Sequence, residues 1–326
     1  MVNLFERRAV LAAAASLIYA ASMPSSAQSN YPTKPIRLIV PFPPGGSADE
    51  TARTIGQALS QVLGQPVIME NRAGADSVVA GDVVAKSLPD GYTLLFGTAT
   101  GLTAAPVLHK AVPYDAINGF TPIARVGTFV HILLVHESVP VKTLAELVAY
   151  ARANPGKLSY GTGTGTAIFA TAQLARQTGL NMVHVPYKGD APMMLDAVPG
   201  RVQVMFGVGG PWLPHVSSGR LRALAVLLPN RSPLLPDVPT MAEAGYPEVT
   251  VTPWAGLLGP AGLPRTVVER LNSAVVTALA SQDVQDRLNR QAFNPGGSSP
   301  NELGVFMKEQ LRVWQSVARE IGLTPE

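Results

Sequence analysis

The sequence predicts an α/β fold divided between two lobes, and three observations carry that prediction. Strand-like and helix-like segments alternate along the chain, the pattern of strands joined by helical crossovers and so of mainly parallel sheets. Two strand–glycine turn–helix units occur, one around Gly45-Gly46 and one over Gly161–Thr166. Setting aside an N-terminal segment of 27 residues leaves 299 of the 326, room for two lobes of about 150 residues each.

That N-terminal segment, 1–27, reads as a cleaved export signal. Arg7 and Arg8 make a positive start, Ala9–Ala21 is uncharged and mostly apolar, and Ser25-Ser26-Ala27 offers small residues for cleavage. The apolar run falls short of the ~20 residues that span a bilayer as a helix. An exported chain resident in the periplasm is therefore expected. No cysteine occurs anywhere, which excludes disulfides, thiolate chemistry and a lipid on an N-terminal Cys. The formal charge is +3, and removing Glu6, Arg7 and Arg8, together net +1, leaves +2. Basic residues are scattered, with no run longer than two. Nucleic acid, which needs a dense positive stripe, is not an expected partner.

The first unit is the most informative stretch. Ile36, Leu38, Ile39 and Val40 read as a buried strand that stops at a proline-glycine turn. Ser47-Ala48-Asp49-Glu50 then opens a helix with the spacing of a capping box. Ser47 is the expected N-cap, worth ~1 kcal/mol. Unpaired backbone amides and the positive end of the helix dipole would converge there on an anion. Ile55, Leu59, Val62 and Leu63 form one apolar stripe, ending at Gly64. A strand over Val67–Met69, a helix over Ser77–Ser87 and a strand over Tyr92–Phe96 follow, the last running into a small-polar turn, Gly97–Gly101.

In the second block, strands are expected at His131–Val135, Leu158–Tyr160, Met182–Val185, Val202–Phe206 and Leu221–Leu227. Helices are expected at Leu144–Ala153, Ile168–Gln177 and Met193–Val198. Pro229, Pro233, Pro236 and Pro239 mark a long loop, and the chain ends in amphipathic helices over Thr266–Ala280 and Asn301–Ile321.

Several motifs fail on inspection. The run GTGTGT at 161–166 puts Thr166 where a dinucleotide fingerprint needs Gly or Ala. Ser47 sits in G-x-S-x-D, which lacks the last glycine of a nucleophile elbow. His109, His131, His136, His184 and His215 show no metal-binding spacing, and they, with Trp212 and Trp254, are assigned to ordinary packing. No cofactor, metal or catalytic residue is expected.

Six blocks carry a family resemblance: PFPPGGSADETAR (41–53), ENRAGA (70–75), SLPDGYTLLFGT (87–98), HVPYKGDAP (184–192), PHVSSGRLRALAV (214–226) and WAGLLGPAGLP (254–264). With these the chain resembles the periplasmic solute-binding receptors of tripartite tricarboxylate transporters, the Bug family, over nearly all its length after residue 27. The resemblance implies a two-lobed, periplasmic-binding-protein-like (Venus flytrap) fold with two chain crossings, near 128–130 and 250–253. Lobe 1 would comprise 28–128 plus 252–326, and lobe 2 would comprise 129–251. It also implies capture of a small carboxylate for membrane transport subunits, by a monomer that closes on its ligand.

Matching the family's loops assigns Phe42, Gly45, Gly46, Ser47, Asp49, Thr98 and Thr100 to the ligand site on the first lobe. On the second it assigns Thr162, Gly163, Thr164, Gly165, Thr166 and Tyr187. A valine at Gly163 is expected to block backbone approach to the ligand. Ile168 and Ala172 stand where family members usually carry His and Glu, Gly207 where many have Asp, and Asp76-Ser77 where two glycines are frequent. The second lobe is thus less polar than usual, which tilts the expected ligand toward an apolar or aromatic body. Two other classes share the same lobes: a periplasmic hydrolase using Ser47, and a ligand-sensing partner of a signalling receptor.

Overall fold

A computed structural model describes residues 31–323 and 325, so the expected export signal lies outside the described residues. Two mixed sheets organise the chain. The first, in the order β11-β4-β10-β3-β1-β2, is built from β1 (Ile36–Val40), β2 (Val67–Asn71), β3 (Thr93–Thr98), β4 (Phe120–Phe129), β10 (Trp254–Pro260) and β11 (Phe293–Pro295). The second, in the order β7-β6-β8-β5-β9, holds β5 (His131–His136), β6 (Ser159–Thr162), β7 (Val183–Pro186), β8 (Val204–Val208) and β9 (Leu221–Val226).

The prediction of mainly parallel sheets needs correcting. The strands joined by helices, β1 with β2 and β3 and β6 with β7 and β8, are parallel. β10 runs antiparallel to both its neighbours, and β5 runs antiparallel to β8 and β9. These reversals occur beside the passages between sheets. The chain leaves the first sheet at Phe129, enters the second at His131, and re-enters the first at Trp254. The Phe129 amide donates to the Pro253 carbonyl at 2.8 Å, so the outgoing and returning segments lie side by side.

Alternation along the strands explains why both faces of each sheet are covered. On β1, Ile36, Leu38 and Val40 pack with α1 (Ser47–Leu63) and α8 (Arg265–Ala280), whereas Ile39 points to the opposite core. On β5, Ile132 and Leu134 join one cluster while Leu133 and Val135 join another. That last cluster is continuous from one sheet to the other: Phe169 of α5 (Gly165–Thr178) lies 4.5 Å, centroid to centroid, from Trp314 of α10 (Pro300–Ile321). The two lobes are packed together in this structure.

The first helix starts differently from expectation. Its N-cap is Gly46, with no side-chain cap, and Ser47 is already helical. The Ser47 hydroxyl instead donates to the Val208 carbonyl at the end of β8. A capping box does open α10, where Ser299 accepts from the Glu302 amide at 3.2 Å and the Glu302 carboxylate accepts from the Ser299 amide at 2.7 Å. The segment that reads as a turn after β3 is a π-helical stretch, Thr100–Ala104, that leads into a short helix, α3 (Ala105–Leu108). Among the described residues no helix is long and apolar enough to cross a membrane.

Candidate functional site

A cleft of about 450 Å³ lies between the two sheets. One wall comes from the turn after β1, with Phe42, Pro43, Gly46 and Ser47, and from the end of β3, with Thr98 and Thr100. The facing wall comes from Thr164 and Thr166 before and within α5, from Asp190 and Ala191 opening α6 (Asp190–Ala197), and from Val208. Phe129, His131, Pro253 and Trp254, beside the passages between sheets, form the floor. The cleft is therefore ringed by the N-termini of α1, α5 and α6, whose first-turn amides lack intrahelical partners and favour negative charge. Among the described residues no Lys or Arg lines it.

Its polar atoms are unusually free. Thr98 Oγ1, His131 Nδ1, Asp190 Oδ1 and Trp254 Nε1 are all buried without a hydrogen-bond partner. A buried polar group left unpaired costs about 1–3 kcal/mol, so four around one cleft point to a polar ligand that would pair them. Trp254 Nε1 can only donate, and the threonine hydroxyl can donate or accept. On the second wall a relay leads to His131. The Thr164 hydroxyl accepts from the Ala167 amide at 3.2 Å and shares a 2.8 Å bond with Thr166, which shares a 3.2 Å bond with His131 Nε2. Burial holds the His131 pKa down to about 3, so the ring is neutral at pH 7. The pattern in which Thr164 donates to Thr166, and Thr166 to Nε2, leaves the ring proton on the unpartnered Nδ1.

The two acids at the helix starts differ in state. Asp49 accepts from the Arg53 side chain at 2.9 Å, the Gly45 amide at 3.1 Å and Asn71 at 2.8 Å. Burial pushes its pKa up, but those hydrogen bonds outweigh it and hold the carboxyl below the usual range. By gripping the Gly45 amide it fixes a turn whose φ of +80° suits glycine. Asp190 Oδ2 accepts from the Val208 amide at 2.7 Å and the Trp212 indole at 3.2 Å. Here burial dominates, and the carboxyl is pushed up to about 7 despite those two donors.

Of the residues assigned from sequence, the structure brings Phe42, Gly46, Ser47, Thr98, Thr100, Thr164 and Thr166 to the cleft lining. Gly45 and Asp49 stand behind the first wall, shaping its turn. Thr162 shares a 2.7 Å bond with His184, and the Tyr187 hydroxyl donates to Asp196 at 2.9 Å. Gly165 packs against the first lobe, where a Cβ would come 2.5 Å from Ala104 Cβ. Gly163 is a close approach of another kind: a Cβ there would come 2.6 Å from the Gly189 carbonyl carbon and 2.8 Å from Asp190 Oδ1. A valine at Gly163 would therefore push on the second lobe's own backbone.

Three lining residues carry little sequence signal: His131 and Trp254 read as packing residues, and Asp190 stands in no binding motif. His131 and Trp254 flank the passages between sheets, and residues placed there in a two-lobed chain face the cleft. Asp190 carries a weaker signal, an acid directly after the glycine of VPYKG. Among the described residues no group of three or more His, Asp or Glu is placed to hold a metal ion.

Comparison with known proteins places these features in a lineage. The model of the tripartite tricarboxylate transporter family receptor matches residues 51–323. A Pseudomonas protein described as a UPF0065 protein in the tcbD-tcbE intergenic region is 38% identical over 320 residues, covering 97% of this chain and 95% of the relative. BugT of Bordetella pertussis is 36% identical over 295 residues, 90% of each chain. Among solved structures, Rpa4515 of R. palustris with adipate has a TM-score of 0.87 at 34% identity, covering 91% of this chain and 100% of that one. MatC from Rhodopseudomonas palustris with bound malate has a TM-score of 0.83 at 31% identity, covering 88% and 99%.

Proposed function

We infer the function from a premise these matches establish: the chain belongs to the tripartite tricarboxylate transporter receptor family. It is a two-lobed solute-binding protein for a carboxylate. The observation that carries this reading is the set of four unpaired buried polar atoms in a cleft ringed by helix N-termini. Trp254 Nε1, Thr98 Oγ1 and His131 Nδ1 are the proposed side-chain donors, joined by first-turn amides of α1 and α5. Phe42, Phe129, Pro43, Pro253 and Val208 supply much of the apolar lining and favour a ligand with an apolar or aromatic body.

Lobe 1 is taken as 28–128 with 252–326, and lobe 2 as 129–251. Charge-assisted bonds of about 1.5–3 kcal/mol each must reach about −8 kcal/mol for a micromolar ligand against an association cost of ~4–15 kcal/mol. Donors on one lobe fall short of that, and donors on both, with water expelled, supply it. The ligand then favours the closed state by its differential contacts, and membrane transport subunits read that state in the periplasm. The protein acts as a monomer, and its chemistry is capture and release. The Ser47 hydroxyl donates to Val208, which supports a latch between lobes in place of a nucleophile.

Native mass spectrometry of the purified protein, before and after mild denaturation, tests the reading. A released carboxylate is the expected outcome. A stoichiometric cation or neutral solute in its place would contradict it.

A further inference from the structure

Asp190 presents a problem that the carboxylate reading must solve. It is 6% exposed and lines the cleft. Oδ2 is held by two N–H donors, while Oδ1 has no partner. A ligand carboxylate entering the cleft meets this second carboxyl, and among the described residues no lysine or arginine on the walls offsets either. Two anions cannot share a small desolvated site; one of them must carry a proton.

We propose that the cleft takes up its carboxylate together with one proton from solvent, held by Asp190, whose Oδ1–H donates to a ligand oxygen. The inference rests on the carboxylate reading and adds to it a specificity-determining residue and a pH dependence. Surrounding elements leave no other group to do this. The β8 strand and the turn Gly210–Trp212, which hold Oδ2, carry no titratable side chain. On β6, Tyr160 stacks on His184 of β7, and Lys188, on the loop before α6, is exposed. Across the cleft, Asp49 of α1 is bound to Arg53 and Asn71, and its neighbour Glu50 is raised by burial and by Asp49. His131 on the floor is neutral. The free protein is already poised for the exchange, because burial holds the Asp190 carboxyl near neutrality.

Isothermal titration calorimetry with benzoate, adipate and malate, between pH 6.5 and 9, tests this directly. These probes stay ionised throughout, so their own titration cannot mimic the effect. In buffers of differing ionisation enthalpy, each probe that binds is expected to take up about half a proton near pH 7, rising toward one above about pH 8, where affinity falls roughly tenfold per pH unit. Asp190→Asn, whose amide donates without titrating, is expected to bind with a pH-independent affinity. A wild-type affinity that is flat with pH and involves no proton uptake overturns the proposal without any variant. Strong preference for an amino acid over these probes, abolished in Asp190→Asn, also overturns it, because Asp190 would then be an ionised acceptor for an ammonium. No binding of any probe at any pH would instead remove the carboxylate reading on which the proposal rests.

Discussion

The two walls of the cleft each begin a helix with a buried aspartate, and they use it in opposite ways. Asp49 is fully paired with Arg53, Asn71 and the Gly45 amide, and lies behind its wall. Asp190 lines its wall and keeps one buried oxygen without a partner. The first is held ionised by its partners and the second is held near neutrality by burial. Residue type and position at a helix start therefore do not set the role; the partners do. One aspartate builds the loop, and the other meets what the loop encloses.

Substitutions that separate the walls should have the largest effect. Gly209 has a φ of +72°, and a Cβ there would come 2.8 Å from Ser47 Oγ and 3.0 Å from the Gln291 carbonyl. Gly209→Val should hold the walls apart and weaken ligand binding by more than about a hundredfold, since contacts from one wall cannot replace those of two. Small-angle scattering should show an expanded particle with unchanged secondary structure, and wild-type compactness with wild-type affinity would break the two-wall account.

Removing the paired aspartate should cost stability. Asp49→Ala leaves three donors without their acceptor and should lower unfolding free energy by about 2–3 kcal/mol in urea titrations. Removing the unpaired one should act through pH instead. Asp190 is raised in the folded state, so its contribution is full below about pH 4 and is lost as pH rises through about 7. His131 is depressed, so its contribution is full above about pH 6.5 and is lost as pH falls through about 3. Between pH 4 and 6.5 the two slopes oppose. Asp190→Asn leaves only the histidine slope, so its melting temperature should fall more steeply on acidification than the wild type's and gain on it toward pH 8. Parallel melting curves would show that the two acids do not differ as described.

A smaller effect is expected at the edge of the first wall. Ala75, Asp76 and Ser77 are three successive non-glycine residues with positive φ, and the Ser77 hydroxyl is buried without a partner. Ser77→Gly should stabilise the fold by about 1 kcal/mol in thermal denaturation. Destabilisation would mean the serine side chain has a packing role that outweighs its backbone strain.

Much of this organisation is legible in the sequence. The helix Leu144–Ala153 and the loops on both walls follow from apolar spacing, glycines and caps. Other elements were hidden by physics that a single segment does not display. β4 contains Pro122 and Gly127, and its pairing with β10 shifts register twice. It therefore shows no clean alternation. The helix α9 (Gln282–Arg290) buries only Val284 and Leu288, too little to read as a stripe. Ser47 looked like a cap because Glu50 lies three residues on, yet Val208 competes for its hydroxyl from 161 residues away. His131 and Trp254 were invisible as site residues for the same reason: what they face is decided by where the chain passes between sheets.

That passage has a consequence in time as well as in shape. Phe129 and Pro253 are hydrogen-bonded to each other, and His131 and Trp254 are next to them. For lobes swinging about this pair, displacement grows with distance from the pivot. The rim residues, such as Pro43 and Ala191, travel farthest, while the histidine and the tryptophan hardly move. On the proposed reading, an arriving solute would meet these two already in position, before the rest of the site assembles around it. Residence would then be set by how often the outer edges reopen, and the first encounter by a platform at the pivot.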